Sequence, residues 1–478
     1  MSRFPTLHIN STIEECMEII GKFESGISYI LSKEKLVGIV TDGDIRRALL
    51  NDAQLSDSVE KIMNKNFISL PVNSNCSIIR AAFNKRIKFI PLIDKYGRLV
   101  DVADSKSNYR IPVLEPSLQG NELKYVTDCI SSNWISSQGK YVHLFENTFE
   151  DKFNGYKALS VTSGTTALQL ALLALGIREG DEVILPDLTF AATINAVIHV
   201  GAKPVICEIN NSTWCIEPRE IRKLINQKTK AIIAVHLYGQ PCDMASLCSI
   251  CNEHKLFLIE DCAEAIGSKF EGKYVGTFGD ASAFSFFGNK TITTGEGGML
   301  VLKHQHNYRR AKLIRDHGMS KSKKYWHEVV GHNFRLTNLQ AAVGVAQMER
   351  FDEIINRKIE IHRRYYNFFS NHLDIIEIQH LKSNTLHSNW LFGVVISNNN
   401  NRDEIIERLL SIGIETRPFF HCMSEMDIYK SYKKSKNIKI SNYISLNGLS
   451  LPSGVSITNI QIDAICEEFL KCLQRNHN

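Results

Sequence analysis

The stretch SFFGNKTITTGEGG, residues 285–298, decides how the rest of the chain is interpreted. It begins inside the apolar run ASAFSFF (281–287), which is typical of a buried β-strand, and it places Lys290 in a loop of small polar residues. A lysine that such a loop partly shields from water can act as a nucleophile and bind a carbonyl group covalently. Most lysines in loops are simply solvated, so the interpretation depends on the order and spacing of other segments.

Two earlier segments give Lys290 its context. The first, VTSGTT (161–166), precedes the almost wholly apolar run ALQLALLALGI (167–177), and free amides at the start of a helix can bind a phosphate group. The second, IEDCAE (259–264), places Asp261 at the end of an apolar strand, where a carboxylate could pair with a protonated pyridine nitrogen. Each segment alone could also be an ordinary helix cap. Lys290 follows Asp261 by 29 residues, and the three features together indicate a cofactor site.

Between these segments, strand-like runs alternate with helical stretches. The strand-like runs are VILP (183–186), PVICEI (204–209), AIIAV (231–235), LFLIED (256–261) and ASAFSFF (281–287). Alternation at this spacing predicts βαβ units and an α/β fold with a mostly parallel sheet. In such sheets ligands bind beyond the carboxyl ends of the strands, which is where Asp261 and Lys290 are expected.

From about Ile111 to the C-terminus the chain resembles the DegT/DnrJ/EryC1/StrS family of sugar aminotransferases, which has the fold-type I architecture of aspartate aminotransferase. The motifs that carry the resemblance, in chain order, are GNE (120–122), NWISSQGKYV (133–142), SGTTAL (163–168), DLTFAAT (187–193), HLYGQPCDM (236–244), EDCAEA (260–265), SFFGNKTITTGEGG (285–298) and GHNFRLTNLQAAVGVAQ (331–347). The resemblance implies a pyridoxal 5'-phosphate enzyme in which Lys290 holds the cofactor and moves a proton, while Asp261 pairs with the pyridine nitrogen.

The resemblance also implies further contacts to the cofactor. They are the phosphate ligands Gly164, Thr165 and Ser285, the ring-stacking Phe190, Glu264 near the ring hydroxyl, and Asn333 from a second subunit. The last contact implies a homodimer, or a higher oligomer, with shared active sites. From the residues alone, Phe190 could instead be a core aromatic and Asn333 a turn residue.

The implied reaction transfers the amino group of L-glutamate to a nucleotide-linked 4-keto-6-deoxy sugar, for a surface polysaccharide such as O-antigen. Within the family, members that aminate GDP-4-keto-6-deoxy-mannose are most similar over residues 285–298 and 325–338. Relatives that act on UDP- or dTDP-linked sugars share much of these stretches and remain an alternative. A dehydratase branch carries histidine at the lysine position, so Lys290 favours transamination. A catalytically silent regulatory protein is the remaining alternative.

Four residues are candidates for binding the substrates. Trp134 and Ser136 correspond to a segment that lines the sugar pocket in relatives, and Arg417 could bind the carboxylate of the amino donor. Lys321 lies in the basic loop HGMSKSKK (317–324), whose charge could attract a diphosphate. The loop could equally be a solvated surface segment, and Arg417 could serve only to support a strand.

The first hundred residues contain two weakly similar halves, LSKEKLVGIVTDGDIRRALL (31–50) and FIPLIDKYGRLVDVADSK (89–106). They resemble a tandem CBS domain, a small adenosine-nucleotide-sensing module. The resemblance implies that Thr41 and Asp44 bind an adenine nucleotide. Asp101 stands where threonine is expected in the second half, so at most one nucleotide site is predicted. A docking or folding module without a ligand is equally consistent with these residues.

The expected domains are a CBS pair at 1–106, a linker at 107–112 and an aminotransferase at 113–478. Within the aminotransferase, residues 113–355 should form mainly the large cofactor-binding part and residues 356–478 mainly the small C-terminal part. A chain of 478 residues exceeds one ordinary domain, which agrees with this division.

Composition argues against several other classes of protein. Apolar residues make up 44% and charged residues 22%, as in soluble globular proteins, and a net charge of +5 without a basic cluster does not support nucleic-acid binding. Twelve cysteines are no disulfide framework in so long a chain, and the pair Cys248 and Cys251 lacks the second ligand pair that zinc needs. The N-terminus lacks a signal peptide, and no run of about 18 apolar residues occurs. We therefore expect a cytoplasmic protein without a bound metal and without a membrane or nucleic-acid partner.

Overall fold

The N-terminal part of the chain begins with a β-α-β-β-α arrangement. The computed structural model describes residues 4–72, 74, 78–79, 82–84, 87–105, 110–396 and 401–474. The first elements of the N-terminal part are β1 (Thr6–His8), α1 (Ile13–Phe23), β2 (Ile27–Ser32), β3 (Lys35–Thr41) and α2 (Asp42–Leu50). Strand β2 pairs in parallel with β1 and antiparallel with β3. Thr12 and Thr41 each form a capping box, so local sequence determines where both helices begin.

The second half of the N-terminal part repeats this strand arrangement. Strand β4 (Leu70–Pro71) pairs in parallel with β5 (Phe89–Ile93), which pairs antiparallel with β6 (Leu99–Asp104). Gly97 has a φ of 80° at the turn between β5 and β6, a conformation that glycine adopts without strain. Each half packs around its own apolar core. The two similar stretches of sequence therefore correspond to two similar folded halves.

The chain divides into two units. The N-terminal unit contains Met1–Ile111, Ser411–Gly413 and Thr458–Ile465, and the large unit contains Pro112–Leu410, Ile414–Ile457 and Cys466–Asn478. Two short C-terminal segments thus belong to the N-terminal unit, where the Gln461 side-chain amide donates to the Asp101 carboxylate at 3.0 Å. Of the predicted linker, residues 107–109 lie outside the described residues.

A seven-stranded sheet forms the centre of the large unit in the described part of the chain. In spatial order its strands are β7 (Lys157–Val161), β15 (Gly298–Leu302), β14 (Ala281–Ser285), β11 (Phe257–Asp261), β10 (Thr229–Val235), β8 (Glu182–Pro186) and β9 (Lys203–Cys207). Strand β15 runs antiparallel to the other six strands of this sheet, which all run in the same direction. The prediction of a mostly parallel sheet is confirmed, although the sequence did not predict β15.

Alternate residues of these strands pack into two separate apolar cores. Val183 and Leu185 belong to one core and Ile184 to the other, and residues 231–235 alternate in the same way. Because successive side chains of a strand point to opposite faces, the sheet is buried on both faces. Helices therefore cover both sides of the sheet, as βαβ crossovers require.

The helices that follow the CBS-like halves are numbered in chain order. They are α3 (Glu122–Ser131), α4 (Lys140–Lys152), α5 (Gly164–Ala174), α6 (Ala191–His199), α7 (Pro218–Leu224), α8 (Met244–His254), α9 (Gln305–Arg315), α10 (Asn338–Glu349), α11 (Phe351–Phe369), α12 (Arg402–Ser411), α13 (Ile440–Asn447) and α14 (Asn459–Gln474). Helix α11 runs through residues 355 and 356, so the predicted boundary between the large and small parts falls inside one helix. Within the described ranges, no helix has both the length and the apolar character needed to cross a membrane.

Smaller sheets complete the large unit. Strands β16 (Ile376–Ile378), β18 (Phe392–Ile396), β20 (Gly448–Leu451) and β19 (Arg417–Pro418) form a four-stranded antiparallel sheet, and β13 (Lys273–Tyr274), β12 (Lys269–Phe270) and β17 (Thr385–Leu386) form a three-stranded one. Trp390 and Arg417 come from these C-terminal segments and line the same cavity as the ends of the central strands.

A lysine is buried where helix α11 meets the C-terminal segments. Lys358 is 1% exposed, and its Nζ donates to the carbonyl of Trp390 at 2.9 Å and to the carbonyl of Ser453 at 2.5 Å. Burial lowers the pKa of Lys358 to about 7. Nearby, the rings of His362 and His387 stack with centroids 4.3 Å apart, and burial lowers the pKa of both imidazoles, so these neighbours are neutral.

Replacement of this lysine should change the pH dependence of stability. Between about pH 7 and pH 10.5 the unfolded chain binds a proton at Lys358 that the folded chain does not bind. The quantity to compare is the free energy of unfolding of the wild type minus that of Lys358→Met. Across that window this difference should rise by about 1.4 kcal/mol per pH unit, and below the window it should not change with pH. Denaturant unfolding at a series of pH values measures this difference. Lys228→Met, at an exposed lysine, is the control, and an equally flat difference for both variants would contradict the assignment.

Candidate active site

A cavity of about 430 Å³ opens at the carboxyl ends of β11 and β14 and at the start of α5. The sequence-predicted residues that line it are Gly164, Thr165, Phe190, Asp261, Glu264, Ser285, Lys290 and Arg417. These residues come from segments as far apart as 164 and 417, and the parallel sheet brings them together because its strand ends meet at one edge.

Lys290 lies at the base of a tightly bonded loop. The Phe286 amide donates to the Gly297 carbonyl at 2.9 Å, the Thr294 amide donates to the Phe286 carbonyl at 2.9 Å, and the Lys290 amide donates to Phe287. The Lys290 side chain is 12% exposed, and burial lowers the pKa of its amine. A lowered pKa increases the share of the neutral amine, which is the nucleophilic form.

Asp261 ends β11 inside the cavity. Its carboxylate accepts a hydrogen bond from the Thr193 hydroxyl at 2.8 Å and another from the Ala263 amide at 3.2 Å. Both donors are neutral, and burial raises the pKa of this carboxyl. A cationic ring nitrogen in the cavity would stabilise the ionised carboxylate. The residues present therefore fit the pyridinium partner that the sequence predicted.

The start of α5 provides a place for an anion. Ser163 caps the helix by accepting from the Thr166 amide, and the Ala167 amide donates to the Ser163 carbonyl, so the amides of Gly164 and Thr165 are left to face the cavity. A Cβ at Gly164 would lie 2.8 Å from the Cβ of Ser285, so only glycine fits there. This cradle suits a phosphate group.

Glu264 and Phe190 lie on other sides of the cavity. The Glu264 carboxylate accepts from the Tyr238 amide at 2.8 Å and lies 4.0 Å from Lys290 Nζ, and burial raises the pKa of this carboxyl. Phe190 is 59% exposed and lines the cavity, so it is not a core aromatic. Its exposed ring is available to stack on a planar ligand.

Three aromatic side chains that line one side of the cavity, Tyr238, Trp390 and Phe420, were not predicted from the sequence. The ring centroids of Tyr238 and Phe420 are 5.6 Å apart, and those of Trp390 and Phe420 are 6.4 Å apart. Lys290 Nζ lies 3.6 Å from the centroid of the Trp390 ring. Tyr238 was visible only inside the HLYGQPCDM motif, and no local pattern marks Trp390 or Phe420 as site residues.

The other predicted contacts do not line the cavity of the described chain. Asn333 is exposed and accepts from Arg335 Nε at 3.0 Å. Trp134 is 56% exposed, and Ser136 and Lys321 are also exposed. The backbone carbonyls of Trp134 and Ser136 accept from Asn338 in α10. The roles of Asn333, Trp134, Ser136 and Lys321 in binding therefore stay predictions.

In the N-terminal unit, Thr41 and Asp44 bond to each other. The Thr41 hydroxyl and amide both donate to the Asp44 carboxylate, and Asp44 also pairs with Arg47. A cavity of about 930 Å³ lies beside them, with polar and apolar walls that include Gly26, Asp42, Lys88, Phe89 and Asp104. Thr41 and Asp44 do not line this cavity, so their role in binding a nucleotide stays a prediction.

One buried cluster has the residue types of a metal site, His236, Glu260 and Cys262. The Glu260 carboxylate accepts from the amides of Gly276, Phe278 and Gly279 at 2.7–2.8 Å. His236 Nδ1 accepts from the Cys242 amide, which leaves the proton on Nε2 to face Glu260 at 3.2 Å. Both imidazole nitrogens are thereby used, and the cluster forms a hydrogen-bond network that supports the strand ends.

Comparisons with known proteins agree with this geometry. The chain is 45% identical over 357 residues to the GDP-perosamine synthase of Escherichia coli O157:H7, covering 75% of this chain and 97% of the relative. It is 44% identical over 370 residues to the GDP-perosamine synthase of Vibrio cholerae, covering 76% of this chain and 100% of the relative. A solved putative sugar aminotransferase from Streptococcus pneumoniae, in its PLP form, superposes with a TM-score of 0.73 at 26% identity, covering 77% of this chain and all of that chain.

Family models match both parts of the chain. The CBS domain model matches residues 1–51. The model of the DegT/DnrJ/EryC1/StrS aminotransferase family matches residues 116–470, which is most of the chain. The chain, whose lysine and strand-end aspartate line one cavity, therefore belongs to the DegT/DnrJ/EryC1/StrS aminotransferase family.

Proposed function

We propose that this chain, a pyridoxal-phosphate-dependent aminotransferase, moves the amino group of L-glutamate onto C4 of GDP-4-keto-6-deoxy-mannose and produces GDP-perosamine. The observation that carries the proposal is the pairing of Lys290 and Asp261 in one buried cavity, in a chain that is 44–45% identical to two GDP-perosamine synthases over nearly their whole length. The lysine favours transamination over the dehydratase alternative, because an amine is needed to exchange with the amino donor.

Each half of the reaction needs a proton to move between the cofactor carbon and the substrate carbon that carries the amino group, which is Cα of L-glutamate in the first half and C4 of the sugar in the second. When bound, pyridoxal phosphate supplies an aldehyde carbon and an electron-withdrawing ring. Lys290 Nζ is the base that takes this proton and the acid that returns it, and such a positioned group contributes roughly 10²–10⁴-fold. Burial keeps a share of the amine neutral, and Glu264 at 4.0 Å stabilises the ammonium that forms.

The other cavity residues hold the reactants in place. Asp261, held by Thr193 and Ala263, keeps the ring nitrogen protonated, and the amides of Gly164 and Thr165 bind the phosphate with Ser285. Phe190 covers one face of the ring. Arg417, which lines the cavity, binds a carboxylate of L-glutamate.

A homodimer is part of this proposal. Asn333 lies outside the cavity of its own chain, and large apolar side chains stand exposed nearby in sequence, including Tyr325, Trp326 and Val330 at 76%, 56% and 91% exposure. Exposed apolar groups of this size favour an interface. A second subunit would bring Asn333 to the partner's phosphate site, and light scattering on the purified chain measures the oligomeric state.

A cytoplasmic location remains a prediction.

The choice of nucleotide and sugar can be tested with a panel of GDP-, UDP- and dTDP-linked 4-keto-6-deoxy sugars and L-glutamate. We expect the GDP-mannose derivative to give the highest kcat/KM, by about tenfold or more, which corresponds to about 1.4 kcal/mol of discrimination. Mass detection of the amino sugar, with 2-oxoglutarate formed in equal amount, is the readout. Lys290→Ala should give no product. Lys303→Ala, at an exposed lysine directly after the carboxyl end of β15, is the control and should retain full activity.

Each alternative has a distinct result in the same panel. A higher rate with a UDP- or dTDP-linked sugar would replace the proposed substrate. Consumption of keto-sugar without 2-oxoglutarate would indicate dehydration, and a protein that takes up no pyridoxal phosphate would indicate a silent regulatory protein.

We further propose that the N-terminal unit binds an adenine nucleotide beside Thr41 and Asp44. The cavity of about 930 Å³ next to these residues has basic, acidic and apolar walls, which suits a nucleotide. Equilibrium dialysis of the full chain with ATP, ADP and AMP should detect binding that Asp44→Ala weakens, because the substitution removes the capping box that fixes the start of α2, where Asp42 lines the cavity. Binding that is unaffected by this substitution, or no binding at all, favours a docking or folding role.

A further inference from the structure

Trp390 is the aromatic side chain against which the reactive amine rests. It is 5% exposed, lines the active-site cavity, and presents its ring face to Lys290 Nζ at 3.6 Å from the ring centroid. Glu264 is farther from the same nitrogen, at 4.0 Å. The amine therefore lies between the Glu264 carboxylate and one indole face, and the Asp261 carboxylate in the same cavity also favours its charged form.

The indole of Trp390 is also bonded to the loop that carries the amine. Its Nε1 donates to the carbonyl of Asn289 at 2.8 Å, and Asn289 directly precedes Lys290. A hydrogen bond to the neighbouring peptide limits rotation of the Lys290 backbone. A single side chain thus contacts both the amine and the backbone that positions it.

The backbone around Trp390 is itself held from two directions. Lys358 Nζ donates to the Trp390 carbonyl at 2.9 Å. Asn389 has a φ of 54°, in the left-handed region, and its amide donates to His387 Nδ1 at 2.9 Å. Asparagine tolerates this conformation better than most residues other than glycine, and the hydrogen bond to His387 fixes it next to Trp390.

We infer that Trp390 is a positioning residue for Lys290, whose indole N–H fixes the lysine loop and whose ring face holds the ammonium form of the amine. This inference rests on the proposed function. A second carboxylate at this distance would hold the amine permanently protonated, whereas an indole face attracts the cation without adding a full charge. Together with Glu264, it allows the amine to gain and lose a proton within one cycle.

The first test measures Lys290 in the cofactor-free full-length chain. Competitive acetylation with acetic anhydride over a range of pH, followed by mass spectrometry of the peptide that contains residue 290, reports how tightly the amine holds its proton. In Trp390→Leu the proton affinity should fall about tenfold, because a desolvated cation–π contact is lost. In Trp390→Phe it should fall only about two- to threefold, because a weaker ring face remains.

The second test separates the indole N–H from the ring face in the cofactor-loaded enzyme. Trp390→Phe and Trp390→Leu both leave the Asn289 carbonyl without its donor, so both should lower kcat by about tenfold or more, as for one buried hydrogen bond. KM for L-glutamate should change by less than about threefold, because Arg417, the proposed ligand of the glutamate carboxylate, is unchanged in both variants. Phe257→Leu, at the amino end of β11 and away from the cavity, is the matched control and should leave both constants unchanged.

The outcomes separate this inference from the proposed function. If Trp390→Leu does not fold, Trp390→Phe carries the test. A Lys290 acetylation profile that is the same in wild type and in the folded variants overturns the inference, as does an unchanged kcat. A wild type that aminates no nucleotide sugar overturns the proposed function, while the acetylation result on the cofactor-free chain still decides the role of Trp390.

Discussion

At one edge of the parallel sheet, ionisable side chains are held largely out of water, and the surrounding residues have to compensate for the lost hydration. Asp261 and Glu264 are buried there, and the Lys290 side chain, in the same cavity, is 12% exposed. Removing such charges from water costs several kcal/mol per ion unless partners compensate. Asp261 accepts two neutral hydrogen bonds and Glu264 accepts one, while Lys290 lies near Glu264 and against Trp390. The same burial that costs free energy lowers the pKa of the Lys290 amine, which increases the share of its neutral form.

The fold supplies the rigidity that this arrangement needs. Both faces of the central sheet are packed, so the strand ends that carry Asp261 and Ser285 move little relative to the start of α5. Bonded turns in the loop around Lys290 extend this rigidity to the amine. C-terminal segments then close the cavity with Trp390 and Arg417. Residues that would be mobile on isolated loops are thereby held at defined distances.

Sequence reasoning could predict the sheet and the centre of the site because both leave local patterns. Apolar runs at regular spacing predicted β8, β9, β10, β11 and β14, and the strand-end positions of Asp261 and Lys290 followed from them. Trp390 lies 100 residues beyond Lys290 in the chain and carries no local pattern, so only the three-dimensional packing reveals its contact. The same limit explains why segments 411–413 and 458–465 were assigned to the aminotransferase although they pack in the N-terminal unit.

The predicted contacts that do not line the cavity could not be assigned from the sequence, and the physical reason is the same for most of them. Asn333, Trp134, Ser136 and Lys321 are exposed side chains, and nothing in a single sequence states whether an exposed side chain meets solvent, a substrate or another subunit. Thr41 and Asp44 illustrate a second limit, since one short motif served equally well as a helix cap and as a candidate nucleotide contact. Buried residues with fixed neighbours are the better targets for inference from sequence.

The central claim is that one amine, Lys290, bonds covalently to the cofactor. The most direct measurement loads the purified chain with pyridoxal phosphate, reduces it with sodium borohydride so that the bond becomes permanent, and locates the added mass by peptide mass spectrometry. We expect the added mass to be confined to the peptide that contains Lys290. Attachment at a different lysine, or no attachment to a folded chain, would contradict it.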